Sequence, residues 1–281
     1  MSISYPAPAK LNLMLRVVGQ RPDGYHELQT VFQFIDFADQ LQFSSRPAGQ
    51  FSRSGGAATV AEADDLTIRA ARLLMESAGI QEGVHIHIDK VLPLGGGIGG
   101  GSSDAASTLI VLNRLWRTGF TRQELMALGT QLGADVPVFI FGQSAWAEGI
   151  GEQLSALDEV LESHYVLVHP GIAVSTREIF TAPELTRQHP PSTIGAFLGG
   201  VMENTLQSTV CARYLEVESA IQWLKSHGLR DVRLTGSGAC VFGVAEDASS
   251  ARIIAGQVPL PWRSWAVKGC NRHPLFDPAE Q

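Results

Sequence analysis

From Lys10 the chain alternates polar and apolar residues. Lys10 and Asn12 stand against Leu11, Leu13 and Leu15, the period-two pattern of a strand with one buried face. On that pattern Lys10 and Asn12 point the same way, off the core or into a cleft. Residues 30–37 predict a second strand through Val31, Phe32, Phe34, Ile35 and Phe37. Between the two, Arg21-Pro22-Asp23-Gly24-Tyr25-His26 predicts a turn, in which proline presets the bend and glycine takes a positive φ. The turn delivers Tyr25 and His26 at its exit. Residues 44–63, rich in Ser, Gly and Ala, read as loops with short strands. Asp64-Asp65 can cap a helix over 66–78 that Gly79 closes, with Leu66, Ala70, Leu73 and Leu74 as its buried stripe. Val84-His85-Ile86-His87-Ile88 alternates as a half-buried strand does. Residues 105–112 look like the start of a buried helix that Gly119 would end, and Thr121-Arg122-Gln123-Glu124 is a capping box opening a helix through Leu132. Residues 144–148 and 152–157 predict closing strands.

The charged stretch Asp158-Glu159-Val160-Leu161-Glu162 suggests a boundary, dividing the chain into 1–157 and 158–281. In the second part the pattern predicts a strand at 165–168, a short helix from Ser175 carrying Phe180, and a proline-rich loop at 181–191. An amphipathic helix at 213–227 follows, then a strand–glycine turn–strand at 233–242, a helix at 246–256 and a last strand at 265–267. Helices with antiparallel-looking strands in both parts argue an α+β fold.

A chain of 281 residues with 44% hydrophobic and 17% charged residues has room for two domains and reads as soluble and globular. Its net charge of −7 speaks against a nucleic-acid surface. Cys211, Cys240 and Cys270 are odd in number and far apart, fitting neither a disulfide framework nor a zinc spacing. The N-terminal residues from Met1 show no apolar stretch of the signal-peptide kind, and the apolar runs are too short to span a bilayer. A cytoplasmic protein with no membrane or nucleic-acid partner is expected.

The chemistry is concentrated in Pro93-Leu94-Gly95-Gly96-Gly97-Ile98-Gly99-Gly100-Gly101-Ser102-Ser103-Asp104. Six of its seven central positions are glycine, which suits backbone that turns tightly or approaches a ligand closely. The run lies between a predicted strand and a predicted helix N-terminus, where free N–H groups and the helix dipole make an anion site. That points to the phosphates of a nucleotide rather than to a flexible linker. Gly95, Gly97 and Gly100 satisfy G-x-G-x-x-G, but the region about 20 residues on reads as a helix start instead of the acidic strand end a dinucleotide fold wants. No lysine follows the glycines, so the Walker A pattern fails and positive charge must come from elsewhere. Asp135 in Gly133-Ala134-Asp135-Val136-Pro137 is a lone acid before a hydrophobic run, either a turn or capping residue or a carboxylate with a task. His85 and His87 share a strand face without other ligands at metal spacing, and read as a polar outer face.

Pro8-Ala9-Lys10-Leu11-Asn12, the block 93–103, Gly133-Ala134-Asp135-Val136-Pro137 and Leu234-Thr235-Gly236-Ser237-Gly238 resemble the superfamily of galactokinase, homoserine kinase, mevalonate kinase and phosphomevalonate kinase. The longer block Arg21-Pro22-Asp23-Gly24-Tyr25-His26-Glu27-Leu28-Gln29-Thr30 is similar to the branch acting on a cytidine-diphosphate-linked methylerythritol in the non-mevalonate route to isoprenoids. The resemblance implies a ribosomal-protein-S5-domain-2-like half for 1–157, which binds ATP, and a ferredoxin-like half for 158–281 on the substrate side. ATP and substrate would meet in the cleft between them. It implies phosphoryl transfer to the 2-hydroxyl of that substrate, with homoserine- or mevalonate-type alcohols, a dinucleotide oxidoreductase and an RNA-binding module as alternatives. Pro93, Leu94, Gly95, Gly96, Gly97, Ile98, Gly99, Gly100, Gly101, Ser102 and Ser103 would wrap the ATP phosphates, with Lys90, Leu66 and Asp65 near adenine. Tyr25, His26 and Phe180 would hold cytosine, with Asn12, Phe32 and Thr176 completing that pocket. Lys10 and Asp135 would face the acceptor hydroxyl, Lys10 as the missing cation and Asp135 as the proton acceptor. Mg²⁺ is expected on the phosphates, with no protein ligand assigned. Asp65 and Asp104 depart from the asparagines found in relatives, and Asn204-Thr205-Leu206 departs from the family pattern with no role assigned.

Overall fold

The computed structural model describes residues 3–277; Met1 and Ser2, where the reading of the N-terminus began, lie outside the described residues. Ten strands form one sheet organised on β2 (His26–Arg46). This long strand pairs antiparallel with β1 (Tyr5–Gln20), β4 (Gly83–Asp89), β5 (Ala145–Glu148) and β10 (Arg263–Cys270). β3 (Phe51–Gly55) runs parallel to β4, and β6 (Gln153–Ala156) pairs with β5. β7 (His164–His169), β8 (Arg230–Leu234) and β9 (Val241–Val244) complete the order β3-β4-β2-β10-β7-β9-β8. β10, from the end of the chain, bonds to both β2 and β7, so the sheet runs through both parts. The expected boundary at 157/158 falls between β6 and β7.

The first strand differs from its pattern. Lys10 and Asn12 are each 2% exposed, as deeply buried as Leu11 and Leu13 beside them. Both faces of β1 are covered, and the polar residues face a buried cleft rather than water. The pairing with β2 slips between Asn12 and Met14, a bulge that re-aims side chains where the strand passes the cleft.

Four helices, α1 (Leu66–Ala78), α2 (Gly100–Leu115), α3 (Arg122–Leu132) and α4 (Val136–Phe141), share one apolar core with β2 and β4 through Ile68, Leu74, Leu109, Phe139 and Phe34. Sequence chemistry fixes their ends. Asp65 caps α1 through Thr67 N, Gly79 closes it in the left-handed region, and Thr121 and Glu124 make the reciprocal capping box of α3. α2 begins at Gly100, before the expected 105, so the last glycines of the run are its first turn; it ends at Leu115, before Gly119. A second core is built on α5 (Thr176–Phe180), α7 (Gln207–Arg213), α8 (Leu215–Ser226) and α9 (Ala248–Ala255). α6 (Ile194–Leu198) and α7, not expected from the pattern, are five and seven residues long, too short to carry a clear helical period.

Candidate active site

The glycine run is pinned from both sides. Lys10 N donates to Ile98 O at 3.0 Å, while Ala239 N and Cys240 N donate to Gly95 O and Gly96 O at 3.0 Å each. The turn at 235–238 therefore presses on the loop. A Cβ on Gly97, whose φ is +72°, would lie 2.4 Å from Thr235 O and 2.9 Å from Gly238 O, and one on Gly99 would lie 2.8 Å from the Phe139 ring. The missing side chains thus serve close packing as well as ligand approach. The run does not face a ligand uniformly: Pro93, Gly96, Ile98 and Ser103 are buried. Gly97 and Ser102 line a cavity of about 300 Å³, and Leu94 and Gly101 line a second of about 200 Å³.

The larger cavity gathers Lys10, Asn12, Thr30, Phe32, Asp135, Thr176, Phe180 and Ser237 from five separate stretches of chain. Lys10 reaches it from β1. Its ammonium donates to Asn12 Oδ1 and to Gly97 O at 3.0 Å, lies 5.3 Å from the centre of the Phe32 ring, and stands 3.7 Å from Asp135 Oδ2. Burial lowers the Lys10 pKa and Asp135 opposes that shift. Asn12 is fixed in turn, since its Nδ2 donates to Thr30 Oγ1 at 2.8 Å and its backbone N to Thr235 Oγ1 at 3.0 Å. Asp135 occupies the N-cap position of α4 but makes no capping bond there, and its side chain is 40% exposed. Its carboxylate is left to the cavity and the ammonium. Thr176 and Ser237 share a hydroxyl bond of 2.7 Å across the far wall.

The smaller cavity is walled by Asp65, Leu66, Thr67, Lys90, Asp104 and Gly101 among others. Lys90 is not a free cation there. Its Nζ lies 2.6 Å from Asp39 Oδ2 and 2.5 Å from Asp104 Oδ2, and the two carboxylates outweigh burial to hold its pKa above the usual value. Asp104 is pushed up to about 7, by burial first and by Asp39 after it, against the pull of Lys90. Asp65 is engaged as well, capping α1 and pairing with Arg53 at 3.0 Å.

Tyr25 and His26 line neither cavity. Tyr25 is 61% exposed. His26 is buried, with its ring 5.0 Å from that of Phe180, and accepts a 3.1 Å bond at Nε2 from Arg187 Nε. Arg187 was missed because it sits in an apparently featureless loop, 161 residues from its partner. Asp39, on β2, was missed because its partner Lys90 lies 51 residues away, whereas Thr30 and Thr235 lay inside quoted motifs. Ser237 lay inside a quoted motif and could have been found there. Asn204, given no role, donates from Nδ2 to Leu234 O and Gly236 O at 3.0 and 2.7 Å and so holds the turn that presses on the glycine loop. His85 and His87 bond to Ser52 and Ser54 of β3, a polar sheet face.

Paired strands that are antiparallel except for β3–β4, a glycine loop leading into α2, and a lysine–aspartate pair across a cavity define an α+β small-molecule kinase rather than a parallel dinucleotide fold. The GHMP kinases N terminal domain family matches residues 65–143 and the GHMP kinases C terminal family matches 184–263, so the chain belongs to the GHMP kinases. The 4-diphosphocytidyl-2-C-methyl-D-erythritol kinase of Azoarcus sp. is 50% identical over 271 residues, covering 96% of this chain and 95% of the relative. That of Methylococcus capsulatus is 50% identical over 276 residues, covering 98% and 94%. Within the GHMP kinases, the chain belongs to the 4-diphosphocytidyl-2-C-methyl-D-erythritol kinase family. A crystal structure of a 4-(cytidine 5'-diphospho)-2C-methyl-D-erythritol kinase superposes with a TM-score of 0.84 at 35% identity, covering 95% of this chain and 99% of that one. A homoserine kinase from Cytophaga hutchinsonii, at 16% identity, shares the fold with a TM-score of 0.72, covering 97% and 95%.

Proposed function

We propose that this chain transfers the γ-phosphoryl group of ATP to a hydroxyl of 4-diphosphocytidyl-2-C-methyl-D-erythritol. The observation that carries the reading is the Lys10–Asp135 pair at 3.7 Å, set in a cavity whose wall includes Gly97 and Ser102 of the glycine loop. The adenine would occupy the smaller cavity, against Leu66, Asp65 and Lys90. The triphosphate would cross the loop where Gly101 lines one cavity and Ser102 the other. Backbone N–H groups at the start of α2, with the helix dipole, would stabilise its charge.

Phosphoryl transfer needs positioning and charge stabilisation more than covalent chemistry. Asp135, free of any capping duty, would accept the hydroxyl proton as the oxygen attacks phosphorus. Lys10, aimed by Asn12 and Gly97 O, would hold the transferring group beside Asp135. Asn12, Phe32 and Thr176 would seat the methylerythritol, with Phe180, His26 and Tyr25 on the cytosine side. Mg²⁺ would enter with ATP as part of the substrate. Ser103 Oγ, buried near the start of α2 without a partner, is an oxygen donor of the kind a hard cation takes. The described residues hold no cluster of three acidic, His or Cys side chains, so phosphates and water would supply most of its ligands.

A division of labour between 1–157 and 158–281 belongs to the same proposal, as does a cytoplasmic location, supported by three free cysteines. The test is ATP consumption by the purified chain over a panel of the cytidyl substrate, mevalonate, homoserine and galactose. Turnover with the cytidyl substrate alone is expected. Preference for any other alcohol would overturn the reading.

A further inference from the structure

We infer that Arg187 is a positioning residue that fixes the tautomer of His26 and so sets which pyrimidine the site accepts. The inference rests on the cytidyl reading above. A guanidinium stays protonated in proteins and only donates hydrogen bonds. Arg187 Nε lies 3.1 Å from His26 Nε2, so that nitrogen must offer a lone pair and the imidazole must be neutral with its proton on Nδ1. The guanidinium is held by three backbone oxygens, Leu185 O at 3.1 Å, Phe180 O at 3.1 Å and Ala182 O at 2.7 Å. These carbonyls lie in and just after α5, the helix that also presents Thr176 and Phe180 to the larger cavity. One side chain therefore ties the His26 ring to the Phe180 ring.

Among the described residues the His26 ring bonds through Nε2, and Nδ1 is not among the buried unpartnered atoms. Burial and the Arg187 charge both lower the His26 pKa, which agrees with a neutral ring. The result is a fixed N–H donor beside the Phe180 ring. Cytosine presents an acceptor at N3, whereas uracil presents a donor there. A locked Nδ1–H meets the first and opposes the second. Had the proton been on Nε2, the preference would reverse. A site built to hydrogen-bond one group rejects the analogue that cannot pair with it.

Two measurements on the full chain test this. Long-range ¹H–¹⁵N spectra of wild type report the His26 tautomer, and kcat/KM is compared for the cytidyl substrate and its uridyl analogue in wild type and Arg187→Met. The expected results are Nδ1 protonation in wild type and, in the variant, mixed tautomers with discrimination reduced at least about tenfold. The loss should fall on KM for the cytidyl substrate and leave KM for ATP unchanged. A wild-type proton on Nε2, or undiminished discrimination in the variant, overturns the inference. If Arg187→Met does not fold, the wild-type spectrum decides. If wild type fails to use the cytidyl substrate at all, the functional reading fails, while the tautomer still reports on Arg187.

Discussion

Replacing Asp135 by Asn removes a proton acceptor while keeping the shape of the side chain. The carboxylate is 40% exposed, pairs with Lys10 at 3.7 Å, and makes no bond to the N-terminus of α4. Asp135 is partly exposed but Lys10 is buried, so taking the carboxylate from the ammonium costs the fold about 1–2 kcal/mol. With loss of general-base catalysis, kcat should fall by roughly 10² to 10⁴. That corresponds to about 3–5 kcal/mol of barrier. The catalytic effect is the larger of the two, and a melt of the same sample separates them. The assay is steady-state ADP release at saturating ATP and cytidyl substrate, with a thermal melt of the same sample. The melting temperature should stay within about 4 °C of wild type. A folded variant with kcat within about threefold of wild type would show that Asp135 takes no proton in the rate-limiting step.

Lys10→Met should also lower kcat by at least about 10², because it removes the ammonium and its bonds to Asn12 Oδ1 and Gly97 O; near-normal turnover in a folded sample would reject its role. Gly97→Ala forces a Cβ to 2.4 Å from Thr235 O at a φ of +72°, and should cost about 2–4 kcal/mol in a denaturant titration while raising KM for ATP; an unchanged midpoint would mean the turn at 235–238 yields freely. The buried Asp39–Lys90–Asp104 group gives a pH prediction. Because the folded pKa of Asp104, about 7, lies above the ordinary 3.8, the folded state holds a proton the unfolded chain has released. The stability from this group is full below its unfolded value and is lost as pH rises through about 7. Asp104→Asn should therefore flatten the stability–pH curve across that window and raise the melting temperature at pH 8 by about 2–4 °C; a lower melt at pH 8 would show that the carboxylate stabilises the charged cluster.

Local chemistry was legible in the sequence wherever the cause lay within a few residues. The cap at Asp65, the αL glycine at 79 and the Thr121–Glu124 box each involve near neighbours, and the helices they bound fall where the pattern put them. The start of α2 was not legible, because a run of glycines carries no period to mark where a turn becomes a helix. The resemblance named Lys10 and Asp135 together, and the structure sets them 3.7 Å apart although β1 and α4 are far apart in the chain. Asn12 alternates like a surface residue yet is buried, since both faces of β1 are covered, and no strand pattern reveals what lies on its second face. Arg187 and Asp39 act through partners that lie 161 and 51 residues away, and nothing local distinguishes them; Thr235, bonded to Asn12 223 residues away, sits in the quoted motif Leu234-Thr235-Gly236-Ser237-Gly238. Tyr25, expected with His26 and Phe180 around cytosine, is 61% exposed, and His26 is the ring beside Phe180.

The most direct test is a crystal structure of the chain with a non-hydrolysable ATP analogue and the cytidyl substrate bound together. The account predicts the purine against Leu66 and Lys90, the phosphates along the backbone at the start of α2, and the acceptor hydroxyl within hydrogen-bond reach of Asp135 with Lys10 beside the terminal phosphate. An acceptor hydroxyl turned away from Asp135, or a triphosphate bound elsewhere than the glycine loop, would contradict it.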